Sequence, residues 1–162
     1  MTLAMNIRLA DYINTVDQAA LLTLLDMYAR DPMGGGEPLS ESVRAGLCDA
    51  LHVTPGAHSW IAWVQEQPVG LLNAFVGFST FKAKPLLNIH DLAVQPGWRG
   101  RGVGRALLNV AQERAETLGC CKLTLEVLCG NHSARRAYEA FGFKNYVLDP
   151  EAGDARLMQK PL

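Results

Sequence analysis

Apolar positions recur along this chain in two alternating patterns, short runs of strand length and longer stretches with one apolar face. The short runs are bounded by turn-forming residues and predict β-strands, whereas the longer stretches have the spacing of amphipathic helices. The predicted elements are, in order, a strand over 7–10, helices over 19–28 and 40–51, strands over 60–65, 69–78 and 86–94, a helix over 103–118, a strand over 122–128, a helix over 133–141 and a final hairpin that turns at 149–153. This alternation predicts an α/β (α+β) fold, with a mixed, mostly antiparallel sheet of about 6–7 strands and helices on both faces.

Length and composition fit a single folded domain over residues 1–162. Apolar residues make up 49% and charged residues 19%, which is the composition of a globular protein rather than a disordered one. No apolar run approaches the roughly 20 residues that span a bilayer, and the N-terminus lacks the basic-then-apolar layout of a signal peptide. The four cysteines follow neither a disulfide framework nor zinc-ligand spacing, so we expect a metal-free protein of the reducing cytoplasm.

Charge is distributed unevenly along the chain. Residues 1–60 contain seven acidic and three basic residues, whereas residues 82–136 contain nine basic and four acidic ones. The second region therefore suits an anionic ligand and the first a cationic one, although ordinary variation of a protein surface explains the asymmetry equally well. A net charge of −1 gives the whole molecule no electrostatic footprint for nucleic acid.

The most informative segment is a loop rich in glycine and arginine over residues 95–105, Gln-Pro-Gly-Trp-Arg-Gly-Arg-Gly-Val-Gly-Arg. It lies between a predicted apolar strand and a predicted amphipathic helix. Helix N-termini present unpaired N–H groups and a positive dipole end, and glycine lets a phosphate approach them closely. The loop lacks the third glycine of a dinucleotide fingerprint and the Gly-Lys-Ser/Thr of a P-loop. It therefore predicts a site for the pyrophosphate of another kind of cofactor.

A second segment, residues 131–143, has the pattern of a short capped helix. The residues that share its apolar face are Ala134, Ala137, Tyr138 and Phe141. Asn131 or Ser133 can cap this helix and Gly142 can end it. Tyr138 therefore points inward, where its hydroxyl needs a partner. Taken alone, the helix favours a core tyrosine bonded to a backbone carbonyl.

Together the two segments resemble the GNAT superfamily of acetyltransferases. The family signature Arg/Gln-x-x-Gly-x-Gly/Ala is matched by residues 99–104, and the pattern Asn-x-x-Ala-x-x-x-Tyr by residues 131–138. The resemblance is strongest over residues 86–143, and the order of strands in the whole chain agrees with it. It implies a single GNAT domain with acetyl-CoA as its cosubstrate.

The resemblance also implies roles for individual residues. In the family, the strand before the glycine loop pairs with the pantetheine arm, and the loop amides hold the pyrophosphate. The tyrosine donates a proton to the departing thiolate, which a phenol of reference pKa about 10 can do for a thiol near 8.5. The coenzyme-binding residues implied here are Leu92, Ala93, Val94, Arg99, Gly100, Arg101, Gly102, Val103, Gly104, Arg105, Asn131, Ser133, Ala134 and Tyr138.

A base is expected as well, because an alkyl amine with a pKa near 10.4 is almost entirely protonated at pH 7. Period-two alternation in the strand over 86–94 places Asn88, His90, Leu92 and Val94 on one face and Asp91 on the other. His90 stands where serotonin N-acetyltransferase has a histidine in its proton path and where spermidine/spermine acetyltransferases have a glutamate. Asp91 is expected only to orient its neighbours.

The rival base is Glu126, which resembles the catalytic glutamate of the ribosomal-protein N-terminal acetyltransferases in its separation from the tyrosine. An imidazole of reference pKa near 6.5 is mostly neutral at pH 7 and can accept a proton, which favours His90 slightly. A packed imidazole and a solvated strand glutamate are the purely structural explanations of these two residues.

The sequence thus predicts an N-acetyltransferase that moves the acetyl group of acetyl-CoA directly to a primary amine, in particular a small cationic amine. Asp31 and Glu37 bracket a glycine loop that borders the acceptor channel in the family, whereas Lys82 and Lys84 would repel a polycation there. A protein N-terminal or lysine acetyltransferase is one alternative, and an acyl-CoA-binding regulatory module without chemistry is the other. We expect no nucleic-acid or membrane partner, and the sequence leaves a homodimer open.

Overall fold

The computed structural model describes residues 4–162, and residues 1–3 of the N-terminal stretch discussed above lie outside that range. The chain divides into two compact units, one that ends at Leu125 and one over Glu126–Leu162. The first unit contains the sheet and three helices, and the second contains one helix. That the whole chain acts as one domain stays a prediction.

The described residues form five strands and four helices. The strands are β1 (Met5–Leu9), β2 (Ala57–Val64), β3 (Gln67–Ser79), β4 (Lys84–Val94) and β5 (Leu123–Leu125). The helices are α1 (Thr15–Arg30), α2 (Glu41–Val53), α3 (Val103–Thr117) and α4 (His132–Phe141), with a short 3-10 helix over Pro96–Trp98. The strand order is β1-β2-β3-β4-β5, and every pair is antiparallel except the parallel pair β4–β5. The predicted mixed, mostly antiparallel sheet is therefore confirmed.

Side-chain caps set where the first two helices begin. The Asn14 carboxamide oxygen accepts from Val16 N at 2.9 Å and starts α1 earlier than predicted, because the polar first turn lies outside the apolar pattern. Ser40 caps α2 as predicted, accepting from Val43 N at 3.3 Å. No described helix is long and apolar enough to cross a membrane.

Helices pack on both faces of the sheet, as predicted. On one face, α1 and α2 bury a cluster that includes Leu21, Leu24, Leu51, Ile61, Trp63 and Leu71. On the other face α3 lies directly on the backbone of β3, because a Cβ at Gly70 would come within 2.7 Å of Val103 Cγ1. Neighbouring strand residues point to opposite faces, so Gly70 and Leu71 mark the α3 face and the α1 face respectively.

The sheet of the described residues has five strands rather than the expected 6–7. The strand predicted over 122–128 is limited to Leu123–Leu125, and the final hairpin forms its turn without strands. That turn is closed by Ala152 N donating to Asp149 O at 3.0 Å, and one further bond, from Ala155 N to Tyr146 O, crosses it. The side chains from Lys144 onward are exposed, so this hairpin buries no apolar face, and an isolated hairpin has little stability of its own.

Candidate active site

The glycine loop connects the end of β4 to the start of α3 and contains two positions whose backbone conformation favours glycine. Gly100 and Gly102 have φ angles of +73° and +83°, the left-handed region that costs an L-residue about 1–2 kcal/mol. Gly102 immediately precedes α3, so the loop delivers its amides to the start of that helix. The local sequence thus determines this part of the backbone.

The amides of this loop lack acceptors. Ala106 N is the first amide of α3 with an intrahelical acceptor, Gly102 O at 3.0 Å, and no group of residues 4–162 accepts from the amides of residues 100–105. A Cβ at Gly100 or Gly102 would meet no atom within 4 Å, so both glycines border open space. Unpaired amides, open space and the helix dipole together fit a phosphate group.

The three arginines of the loop are placed differently from one another. Arg101 lies over the Trp98 ring, with its guanidinium carbon 5.1 Å from the ring centroid. Arg105 is exposed in the first turn of α3. The third, Arg99, turns back toward the sheet and donates from Nε to Val94 O at 3.3 Å. The loop is therefore rimmed by two cations rather than three.

Arg99 also neutralises a carboxylate that was expected to attract the acceptor. Its Nη2 lies 3.3 Å from Asp31 Oδ2, while Asp31 Oδ1 accepts from Met33 N at 2.9 Å. Two further acids of the N-terminal region, Asp17 and Asp26, are paired with arginines as well. Net attraction of a cation by this region is thus weaker than the count of acidic residues suggests.

The C-terminal half of β4 has no partner strand among residues 4–162 on the side that faces β5. β5 pairs only with residues 87–89, because it ends opposite Ile89, and no other described strand pairs on that side. Backbone groups of Leu92 and Val94 on this edge are therefore available to the amides of a pantetheine arm, whereas those of Ala93, which was also expected to bind the coenzyme, alternate toward β3. The Val94 carbonyl, which already accepts from Arg99, has a second lone pair.

A β-bulge at His90 interrupts the alternation that the sequence predicts. Asp91 is opposite Asn73 and Ile89 is opposite Ala74, so His90 is an extra residue without a partner on β3. Its ring contacts Phe75 edge to face, with centroids 5.5 Å apart. The side chain is otherwise exposed.

The bulge overturns the predicted faces of β4. Asp91 bonds to Asn73, while His90 contacts Phe75, and these two partners are separated by one residue of β3 on the α1 face. His90 and Asp91 therefore lie on the same face, contrary to the prediction that they lie on opposite faces. Leu92 and Val94, expected beside His90, lie on the α3 face instead, because the bulge shifts the alternation by one residue.

Three polar side chains, here called the polar row, cross the α1 face at one level of the sheet. They are Ser59, Asn73 and Asp91, which are direct neighbours on β2, β3 and β4. Ser59 Oγ donates to Asn73 Oδ1 at 2.6 Å, and Asn73 Nδ2 donates to Asp91 Oδ2 at 3.0 Å. Sequence reasoning missed Ser59 and Asn73; the available signal was an asparagine within the apolar run of β3.

Tyr28 of α1 faces the same region. Burial raises the pKa of its hydroxyl above the usual value, and the negative charges of Asp91 and Asp31 raise it further. Asp91 and Asp31 therefore act on the same space between α1 and the sheet.

In the second unit, α4 has the predicted caps. Asn131, rather than Ser133, caps it by accepting from Ala134 N at 3.2 Å, and Gly142 ends it with a φ of +115°. Tyr138 is half-buried, and its ring meets Phe143 edge to face with centroids 5.9 Å apart. Ala137, expected on the apolar face, is exposed because α4 buries only a narrow stripe.

Glu126 begins the second unit, one residue beyond the end of β5. It was expected inside a strand, and its side chain is exposed. Among residues 4–162, no group of three or more His, Cys, Asp or Glu side chains is arranged to hold a metal ion.

Comparison with known proteins agrees with this geometry. The model of the acetyltransferase (GNAT) family matches residues 21–143. Thialysine N-epsilon-acetyltransferase of Bos taurus is 30% identical over 118 residues, which cover 65% of this chain and 69% of that protein. Streptothricin acetyltransferase of Streptomyces lavendulae is 40% identical over 76 residues, which cover 47% of this chain and 39% of that protein.

A solved structure shows the same fold at lower identity. An aminoglycoside N-acetyltransferase in complex with a bisubstrate analogue, in which coenzyme A is joined to acetylneamine, superimposes with a TM-score of 0.76. The match covers 98% of both chains at 16% identity.

Proposed function

This chain belongs to the acetyltransferase (GNAT) family, and on that premise we propose that it acetylates a small cationic amine. It is an acetyl-CoA-dependent N-acetyltransferase that acts on amines, with acetyl-CoA as its cosubstrate. The nature of the amine is the proposed part. In support, the thialysine relative carries in its name an amine nitrogen as acceptor.

The glycine loop and β4 hold the coenzyme in this proposal. The unpaired amides of residues 100–105 bind the pyrophosphate, and the open edge at Leu92 and Val94 pairs with the pantetheine arm. Asn131, Ser133 and Ala134 are further coenzyme-binding residues that the family resemblance implies. Acetyl-CoA, when bound, supplies the activated acetyl group.

Two side chains move protons. His90 accepts a proton from the acceptor's ammonium group, which leaves the nitrogen neutral and able to attack the thioester carbonyl. Tyr138 donates its hydroxyl proton to the thiolate that leaves. The exposed side chain of His90 supports its role, because a base that works on a diffusing amine must be reachable. Glu126 is the alternative base.

The observation that carries a cationic acceptor is the negative charge at the bulge. Asp91 is next to His90, its Oδ1 accepts no hydrogen bond among residues 4–162, and its negative charge raises the pKa of the Tyr28 hydroxyl. The lysines that could oppose a cation lie elsewhere: Lys84 begins β4, seven residues and about 20 Å along the strand from Asp91.

A panel of acceptors tests the proposal. Thioester consumption is measured with 1,4-diaminobutane, butylamine, glutamate and an N-terminal peptide, at about 0.02 M and about 0.3 M salt, since screening lengths differ several-fold between these two. We expect the diamine to have the highest kcat/KM and a KM that rises with salt. Preference for the peptide or glutamate, or a diamine KM independent of salt, would overturn the cationic acceptor. Coenzyme binding without turnover of any amine would leave a regulatory module.

A further inference from the structure

The polar row occupies a place that the surrounding sheet fills with apolar residues. The next row along the same face consists of Ile61, Leu71 and Ala93, all buried in the core beneath α1. Ser59 and Asn73 are 1% and 3% exposed, so the sheet buries a hydroxyl and a carboxamide there. Buried polar groups of this kind are costly unless every one of them is hydrogen-bonded.

Every hydrogen bond of the row points the same way. Asn73 gives its Nδ2 hydrogen to Asp91, so its Oδ1 is the acceptor for Ser59. Because the single hydrogen of Ser59 is spent on Asn73, the 2.9 Å contact between Tyr12 OH and Ser59 Oγ must have the tyrosine as donor. Tyr12, Ser59 and Asn73 therefore donate in sequence, and Asp91 accepts the last hydrogen bond. Aligned donors of this kind stabilise a negative charge at the end of the chain.

Tyr12 is itself held in place to start the row. Gln18 of α1 donates from Nε2 to the Tyr12 carbonyl at 2.7 Å. Burial raises the pKa of the Tyr12 hydroxyl, an effect that its bond to Ser59 partly offsets, so the phenol keeps its proton at neutral pH and acts as the donor.

The row cannot serve as a proton wire, because the carboxamide of Asn73 does not exchange a proton between its oxygen and its nitrogen at low cost. What it can do is fix the position of one oxygen of Asp91. Asp91 Oδ2 receives the bond from Asn73, whereas Oδ1 has no partner among residues 4–162. A half-buried carboxylate with one fixed and one open oxygen is suited to bind an ammonium group.

We propose that the polar row, extended by Tyr12, fixes Asp91 as the anchor for a second ammonium group of the acceptor, the one that is not acetylated. Because the reacting nitrogen is neutral when it attacks, a second ammonium group is the part of the acceptor that keeps a full positive charge for a carboxylate to bind. Asp91 adjoins His90 at the bulge, on the same face of the sheet. The inference rests on the proposed function and names its specificity residue: Asp91 binds, while Tyr12, Ser59 and Asn73 are positioning residues.

Two acceptors with the same four-carbon chain distinguish binding of an ammonium group by Asp91 from a purely structural role. 1,4-Diaminobutane carries the second ammonium group and butylamine does not. In Asp91→Asn we expect the KM of the diamine to rise about 10-fold, the value of one hydrogen bond to a charged group. The KM of butylamine and that of acetyl-CoA should change less than about 2-fold, and kcat less than about 3-fold. Tyr12→Phe should raise only the diamine KM, by about 2- to 3-fold, because it removes the first donor of the row.

Asp49→Asn is the matched control, since it removes the same charge from an exposed position on α2. A diamine-to-butylamine KM ratio in Asp91→Asn equal to that in Asp49→Asn would overturn the inference. An equal rise of both KM values would do the same, since a structural row would affect both acceptors. Should Asp91→Asn fail to fold in a thermal melt, the ratio in Tyr12→Phe decides. Absence of any amine turnover by the unmodified protein would instead refute the proposed function.

Discussion

The glycine loop and the polar row lie on the same unit and are built in opposite ways. The loop is made of eleven consecutive residues, 95–105, and presents backbone amides that lack acceptors among residues 4–162. The row is made of residues 59, 73 and 91 from three strands, is extended by Tyr12 from a loop, and ends in a side-chain carboxylate. The loop depends on backbone angles that only certain residues adopt, whereas the row depends on which residues the sheet register places side by side.

The difference explains why one site has a sequence signature and the other has none. A backbone site requires glycine at fixed spacing, because a side chain would strain the left-handed turns at Gly100 and Gly102. A side-chain site needs only that suitable residues face each other, and many sequences satisfy that requirement. The helix that carries Tyr138 also has a sequence signature, since its caps and its tyrosine lie within thirteen consecutive residues.

The largest effect should come from the tyrosine of that contiguous segment. Tyr138→Phe keeps the ring and removes the proton donor, so we expect kcat to fall by about 10²- to 10⁴-fold with unchanged affinity for acetyl-CoA. Steady-state kinetics and calorimetry measure the two quantities. Tyr146→Phe, which removes the hydroxyl of an exposed tyrosine in the same unit, is the control and should retain full activity. A Tyr138→Phe enzyme with normal kcat would mean that this motif indicates only a packed residue.

The next effect separates the two candidate bases. His90→Gln should lower kcat/KM by about 100-fold, because it removes the proton acceptor while keeping a polar side chain. Glu126→Gln should lower it by less than about 3-fold, since this exposed residue follows the strand end. The reverse ranking would assign the base to Glu126 and restrict the role of the bulge to binding.

A smaller effect tests the loop itself. Gly102→Val should weaken acetyl-CoA binding about 10-fold or more, because its side chain enters the open space beside this glycine. The substitution should also lower the free energy of unfolding by about 1–2 kcal/mol, because φ is +83° at this position. Calorimetric titration with acetyl-CoA and a thermal melt check both expectations.

Gly104→Ala provides the contrast within the same loop. Gly104 lies in α3, and a Cβ there would make ordinary contact with Val94 Cγ2 at 3.8 Å. Alanine is the better helix former by up to about 1 kcal/mol, and the family signature accepts it at this position. We expect a slightly more stable protein with normal affinity. Normal binding by both variants would refute the pyrophosphate site.

Helices and strands could be predicted from the sequence wherever a local pattern of residues determines them. The helices predicted over 19–28, 40–51, 103–118 and 133–141 all exist. Their ends are shifted by one to four residues, except the start of α3 and the end of α4, which lie where predicted. The strand after α3 is shorter than its apolar run, and the final hairpin forms no strands. Both failures concern strands, whose formation requires a partner that the local sequence does not contain.

By itself, the sequence determined the family, the cosubstrate and the glycine loop, because each depends on residues close together in the chain. Only the tertiary structure decided which side chains share a face. One extra residue at His90 shifts the alternation of β4 and brings His90 and Asp91 together on the α1 face. The sheet register then aligns Asp91 with Asn73 and Ser59, while Arg99 neutralises Asp31. Register and ion pairing are long-range interactions, so no local pattern in the sequence encodes them.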